Sequence, residues 1–247
     1  MHYGKRGKKR IRCKFTIMKF LLAIPSIFEA KPIFKLARKR AKLGASVKIS
    51  DNVVATVCGI RCEKSQERLK ESIEKYLPDC VVLLGYCGAC ADSICSGDFV
   101  FSTEDKKLAS VLQQQGMKQV KFACVAKTAS AQEKKSLAER GFDAVEMESD
   151  FFEPIVRSKS VCFAHIRCVS DAKNSPLPAE LMDSTMNRET GEINPLKIIS
   201  LKKIVLNPML VVRLIKFAVE IAPVQKFFAV ESKRLVATLN SFNSDIQ

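Results

Sequence analysis

Five consecutive apolar residues, Cys80-Val81-Val82-Leu83-Leu84, lead straight into Gly85-Tyr86-Cys87-Gly88-Ala89-Cys90-Ala91. A strand with one wet face alternates apolar and polar side chains, whereas an unbroken apolar run predicts a strand covered on both faces. Small residues after such a strand predict a turn at which backbone N–H groups could approach a ligand closely. Glycines that serve only tight packing would look the same.

The surrounding chain repeats the theme. Phe20-Leu21-Leu22-Ala23-Ile24 reads as a first buried strand ending at a Pro25-Ser26 turn, with Glu29 just beyond it. Lys31 to Leu43 reads as a basic helix. Ser46–Ile49 and Val53–Cys58 read as a hairpin around Asp51-Asn52. Glu63–Lys75, Leu108–Gln115 and Glu133–Arg140 read as helices, and Phe99–Phe101 and Val120–Ala126 as strands. An apolar run from Val161 to Val169 closes the pattern. Strands alternating with helices from Phe20 to Val169 argue for one α/β domain with a parallel or mixed sheet.

Two acidic motifs lie at the ends of buried elements: Val145-Glu146-Met147-Glu148-Ser149, and Arg167-Cys168-Val169-Ser170-Asp171. A carboxylate there is costly without a partner. Arg167 is the only base close by in sequence and, on a strand, need not point at either acid. Poorly paired carboxylates suggest a ligand site. Each has a plainer reading. Glu146 is expected to be a solvent-facing or structural acid, Glu29 could be a helix N-terminal acid favoured by the dipole, and Asp171 could cap the following turn. His165 is expected to be a core residue, and Arg61 an exposed base or an anion ligand.

The net charge of +15 allows nucleic acid, anionic membrane or anionic substrate as partner. With no aromatic RNA-binding pattern, no Cys/His finger and no Trp, a nucleic-acid reader is not expected. The ten cysteines are scattered, Cys87-x-x-Cys90 lacks a second pair, and the histidines are His2 and His165, so neither a metal site nor a disulfide framework is expected. Residues 1–17 carry seven Lys/Arg and no acid and read as a basic, disordered extension, with Met18 a plausible alternative start. The α/β domain then spans 18–178. From 179 to 247 a polar loop gives way to three apolar, basic helical segments broken by Pro208 and Pro223, which pack on the domain or meet anionic lipid.

Four segments, FLLAIPSIFEAKP, VVLLGYCGACADSICSGDFVF, FDAVEMES and FAHIRCVSDAKNSPLP, together resemble the nucleoside phosphorylase and methylthioadenosine/S-adenosylhomocysteine nucleosidase superfamily. The tail resembles its hopanoid-associated branch, for which adenosylhopane is the proposed substrate. The resemblance implies a three-layer α/β/α sandwich with a central mixed twisted sheet, a C-terminal helical tail, and cleavage of a purine–ribose bond without a cofactor. It implies a cytoplasmic homo-oligomer, peripheral to a membrane if the tail binds lipid. By motif, Glu29 would activate the attacking water and Asp171 would protonate the purine. Glu148 would bind the ribose hydroxyls beside Met147, and Tyr86, Cys87, Gly88 and Ser170 would line the substrate. Tyr86 stands where the family often has Ser or Thr, and Ala89 where it has a second Gly. The adenine-contacting loop is expected near Thr128 to Gln132.

Two other activities compete with hydrolysis. Phosphorolysis needs an arginine clamp for the phosphate dianion; Ala23 to Phe28 contains no arginine, and only Arg61 keeps that option open. A non-catalytic nucleoside- or lipid-binding relative is the other, against which the intact Glu29, Glu148 and Asp171 set argues.

Overall fold

The computed structural model of the 247-residue chain describes residues 16–175, 183, 186–187 and 208–244. The basic arm 1–15, the polar loop beyond residue 175 apart from three positions, and the first tail segment, 196–207, lie outside the described residues. Thr16–Ile17 (β1), the end of the basic segment, pairs antiparallel with Asn243–Ser244 (β11), joining the two ends of the described chain.

The central sheet contains Phe20–Ile24 (β2), Ser46–Lys48 (β3), Val53–Val57 (β4), Cys80–Ala89 (β5), Phe99–Thr103 (β6), Lys118–Gln119 (β7), Phe122–Cys124 (β8), Ala144–Glu146 (β9) and Cys162–Asp171 (β10). Its order is β3-β4-β2-β5-β10-β6-β7, with β9 joining the far end of β5 and β8 pairing with β9. The strands β4, β2, β5 and β10 are mutually parallel; β3 runs antiparallel to β4, β6 to β10 and β9 to β5, while the β6–β7 and β8–β9 pairs are parallel. Helices cover both faces, giving the α/β/α sandwich.

The pleat explains the continuous apolar runs. Phe20, Leu22 and Ile24 of β2, with Cys80, Val82 and Leu84 of β5, share a core with Phe34, Leu112 and Phe228. These come from Ile27–Leu36 (α1), Lys106–Gln114 (α3) and Pro208–Asn240 (α6). The alternate residues Leu21, Ala23, Val81 and Leu83 pack on the other face against Leu69, Ile73, Phe152 and Val156, from Glu63–Tyr76 (α2) and Ser149–Ser158 (α5). Each buried side chain of this size contributes about 1.5–3 kcal/mol by leaving water.

Three expectations are corrected. The segment from Gly85 to Ala89 is a continuation of β5 and not a turn, because β10 and then β9 go on pairing with it. The helix expected over 31–43 begins at Ile27 and ends at Leu36: Ser26 forms a capping box with Glu29, and Arg38 in the left-handed region (φ 54°) marks the exit. Pro223 does not break the tail, which from Pro208 to Asn240 is one helix. A proline removes the bond to the carbonyl four residues earlier; here that residue, Val219, is 69% exposed, so water can satisfy the carbonyl.

Candidate active site

Parallel strands deliver their C-terminal ends to one edge of an α/β sheet, where ligand sites collect. At this edge lie the end of β2, the second half of β5 and the last residues of β10.

Arg167 organises the first half of the site. It is fully buried on β10, opposite Gly85 of β5 in the strand register. Its Nη2 donates to Glu146 Oε2 at 2.8 Å and to Glu148 Oε2 at 2.9 Å, and its Nη1 to the Tyr86 carbonyl at 3.4 Å. Glu29 arrives from the first turn of α1: its Oε2 accepts from Ser26 N (3.0 Å) and Ser26 Oγ (2.5 Å), its Oε1 from Tyr86 N–H (2.8 Å). Gly85 is obligatory at this crossing. A Cβ there would lie 2.5 Å from Glu29 Oε1 and 2.6 Å from Arg167 Nη1.

The acids are therefore not poorly paired, contrary to the sequence reading, and Arg167 faces both acids of the motif. Three carboxylates share this guanidinium, and their surroundings separate them. Glu146 is buried against its charge. Even so, Arg167, His165, Ser149 and the Glu148 N–H hold it below the usual range; it is structural, and not solvent-facing. Burial pushes Glu148 up to about 7, eased by Arg167 and reinforced by the Glu146 and Glu29 charges. Burial likewise raises Glu29, with Ser26, Arg167 and Tyr86 N–H pulling the other way.

The Glu148 shift has a sign that can be tested. The unfolded carboxyl titrates near 4.5 and the folded one near 7, so between these values the native state holds the extra proton. That contribution is complete below 4.5 and is lost as pH rises through 7. Glu148→Gln, always neutral, is therefore expected to gain on the native protein between pH 5 and 8, by on the order of 3 kcal/mol. Urea unfolding at the two pH values measures it; an equal difference at both would contradict the shift.

The second half of the site is centred on Asp171, the last residue of β10. Its Oδ2 accepts from the ammonium of Lys134, which also donates to the Ala172 carbonyl at 3.2 Å. Ser170 Oγ lies 2.5 Å from Asp171 Oδ1 and 3.0 Å from the Cys87 carbonyl. Asp171 is thus a strand-end acid in an ion pair, not the cap of a turn. Lys134 belongs to Ala131–Glu139 (α4) and is 1% exposed. Its stem crosses Gly88, where an added Cβ would sit 2.9 Å from Lys134 Cε and 3.3 Å from Asp171 Oδ2. Sequence reasoning missed this lysine, since one Lys in a polar helix signals a solvated side chain.

The remaining expected residues sort plainly. Tyr86 is a ring wall, its centroid 4.6 Å from that of Phe228 and 6.3 Å from that of Phe28. Cys87 and Gly88 line the Asp171 side, and burial raises the Cys87 thiol. Met147 lies between the two acids, its carbonyl accepting from Arg61 Nη1 at 3.0 Å. That arginine is not a free anion ligand: both Nη groups hold Asp150, Nη2 at 3.1 Å. His165 is buried between Phe122 and Phe163, and burial lowers it to about 4. In the expected adenine loop, Thr128 is tied to Asp183 and Ser130 caps α4.

No family model and no curated sequence matches the chain. Solved structures do. The 5'-methylthioadenosine nucleosidase of Arabidopsis thaliana superposes with a TM-score of 0.61 at 13% identity, covering 93% of this chain and 99% of that one. The futalosine hydrolase of Helicobacter pylori gives 0.51 at 16% identity, over 63% and 88%. The methylthioadenosine/S-adenosylhomocysteine nucleosidase of Colwellia psychrerythraea, solved with adenine, gives 0.50 at 20% identity, over 66% and 86%. The chain has the fold of these nucleosidases. At such identities the likeness speaks to architecture, including the mixed sheet and the C-terminal helix.

Proposed function

We propose that the protein is a purine nucleosidase: it hydrolyses the N-glycosidic bond of an adenine nucleoside and releases adenine. The observation that carries this reading is the separation of three buried acids at one sheet edge, Glu29 and Glu148 around Arg167, and Asp171 on Lys134. Cleavage leaves an oxocarbenium-like sugar, which nearby carboxylates stabilise. Glu148 accepts from the ribose hydroxyls beside Met147, Glu29 takes a proton from the attacking water, and Asp171 serves the departing base, with Tyr86, Cys87, Gly88 and Ser170 as walls. Burial that raises Glu29 makes it a stronger base than a free carboxylate, which suits this role. The folds of the plant and Colwellia nucleosidases supply the analogy for substrate class.

Water is favoured over phosphate because the arginines beside these acids are already committed, Arg61 to Asp150 and Arg167 to Glu146 and Glu148. We expect adenine release from methylthioadenosine or S-adenosylhomocysteine at a rate unchanged by phosphate, with free ribosyl product. Chromatography of products with and without phosphate decides it; sugar 1-phosphate would establish the phosphorylase alternative, and no cleavage would leave the binding-protein reading.

The partly exposed rings of Phe28 and Phe227, backed by Tyr86 and the core rings of Phe99 and Phe228, favour a bulky apolar 5' substituent, and so an adenosylhopane-like substrate, as a second reading. The outer face of α6 fits the same idea. Val212, Ile215, Val219 and Val230 are 54–69% exposed. They are interleaved with exposed Arg213, Lys216, Lys226 and Lys233, a face that suits an anionic lipid surface. No helix among the described residues is long and apolar enough to cross a membrane. We expect co-sedimentation with phosphatidylglycerol vesicles, reversed by salt and by Val219→Asp; absence of binding, or a Val219→Asp-sensitive dimer instead, removes the idea.

A further inference from the structure

Lys134 and Asp171 are both buried, at 1% and 6% exposure, and joined by a short contact. Such a pair is expensive to desolvate, and replacing both members by apolar residues is often neutral or stabilising. The ammonium meets two acceptors here, Asp171 Oδ2 and the Ala172 carbonyl. The lysine reaches its place only by laying its stem over Gly88, the one residue type that leaves room for it.

The two oxygens of Asp171 have different partners. Ser170 has one hydroxyl proton and two near acceptors, Cys87 O and Asp171 Oδ1. Asp171 Oδ2, the other carboxylate oxygen, faces the Lys134 ammonium directly, so a proton leaving Nζ has Oδ2 as its nearest carboxylate acceptor. Lys134 is thus the proton-bearing side chain in direct contact with the Asp171 oxygen that Ser170 does not occupy.

We propose that Lys134 is the proton-holding partner through which Asp171 acts on the leaving base. This rests on the nucleosidase reading above. In the catalytic step the proton on Lys134 Nζ crosses to Asp171 Oδ2, leaving an amine and a carboxylic acid. As the C–N bond breaks, its electron pair goes to the purine, and Asp171 hands the proton to a ring nitrogen. Water adds to the sugar and gives its proton to Glu29. After the products leave, Glu29 loses that proton to solvent and Lys134 regains one, so no proton is gained or lost overall. Lys134 touches no substrate in this scheme and is a positioning residue.

The test uses two leaving groups. Adenine must be protonated as it departs; nitrophenolate need not be. In the full-length protein, Lys134→Met is expected to lower kcat on methylthioadenosine by about 10²-fold and kcat on a nitrophenyl riboside by less than about threefold, with KM little changed. In an Asp171→Asn background the same change should add less than about threefold, because the two residues act as one unit. Lys134→Met strands a buried carboxylate, so circular dichroism and thermal melts accompany the kinetics. If the single variant does not fold, Lys134→Met/Asp171→Asn, which has a neutral pair, is compared with Asp171→Asn alone. Equal losses on the two substrates, or multiplicative losses in the double variant, overturn the proposal. A native protein that cleaves neither substrate sinks the nucleosidase reading first, and this inference with it.

Discussion

Asp171→Asn is expected to lower kcat for adenine release by about 10³-fold, within the range that general acids supply, while the protein stays folded. The amide keeps an acceptor for Lys134 and stays close to Ser170, so the local geometry has a substitute for each contact it loses. It cannot donate a carboxylic proton. Lys134 retains the Ala172 carbonyl as a second acceptor but loses its counter-charge, and a stability loss of roughly 3 kcal/mol is the expected companion. Single-turnover adenine release, alongside a urea melt, separates the two effects. Release within tenfold of the native rate, on the order of 1.4 kcal/mol of barrier, would remove Asp171 from the chemistry.

Arg167→Met is expected to be the most destabilising single change at this sheet edge, by about 3–5 kcal/mol at neutral pH. The methionine fills much of the same volume, so the loss is electrostatic: Glu146 and Glu148 lose a direct partner and Glu29 a nearby positive charge. The sign of its pH dependence follows. Carboxylates without a cation are least costly when protonated, so the deficit should shrink as pH falls from 8 to 5. Urea midpoints of native and variant protein across that range check it. Adding Glu146→Gln should recover part of the loss, because Glu146 is the one of the three acids held below its usual range against the pull of burial, with the guanidinium as the leading cause. A deficit that stays constant with pH would mean that Arg167 acts through packing.

How far the sequence could be read differs by feature. The apolar runs at Phe20–Ile24 and Cys80–Leu84 announced strands buried on both faces, because a pleated strand sends alternate residues to opposite cores. Glu29 could be placed beyond the first strand, but its two attachments, to Ser26 and to Tyr86 N–H, required both the capping box and the neighbouring strand. The glycines at 85 and 88 looked like a turn because small residues usually mark one. They are strand residues whose missing side chains make room for Glu29, Arg167 and Lys134. Pro223 looked like a break, and only the exposure of the turn before it shows why the helix continues.

The sequence by itself determined the layered α/β architecture and the chemical identity of the acids at the sheet edge. Periodicity states which face a residue takes, and motif spacing states which acid ends which element. The tertiary structure alone decided what each acid is paired with. Arg167 meets Glu148 across 19 residues of sequence and Glu146 across 21, and Lys134 meets Asp171 across 37. Those encounters depend on strand register and helix placement, which no local pattern encodes. They also decide the chemistry, since a buried carboxylate behaves as its neighbours dictate: Glu146 is held ionised, Glu148 is raised to about 7, and Asp171 is bound to a lysine.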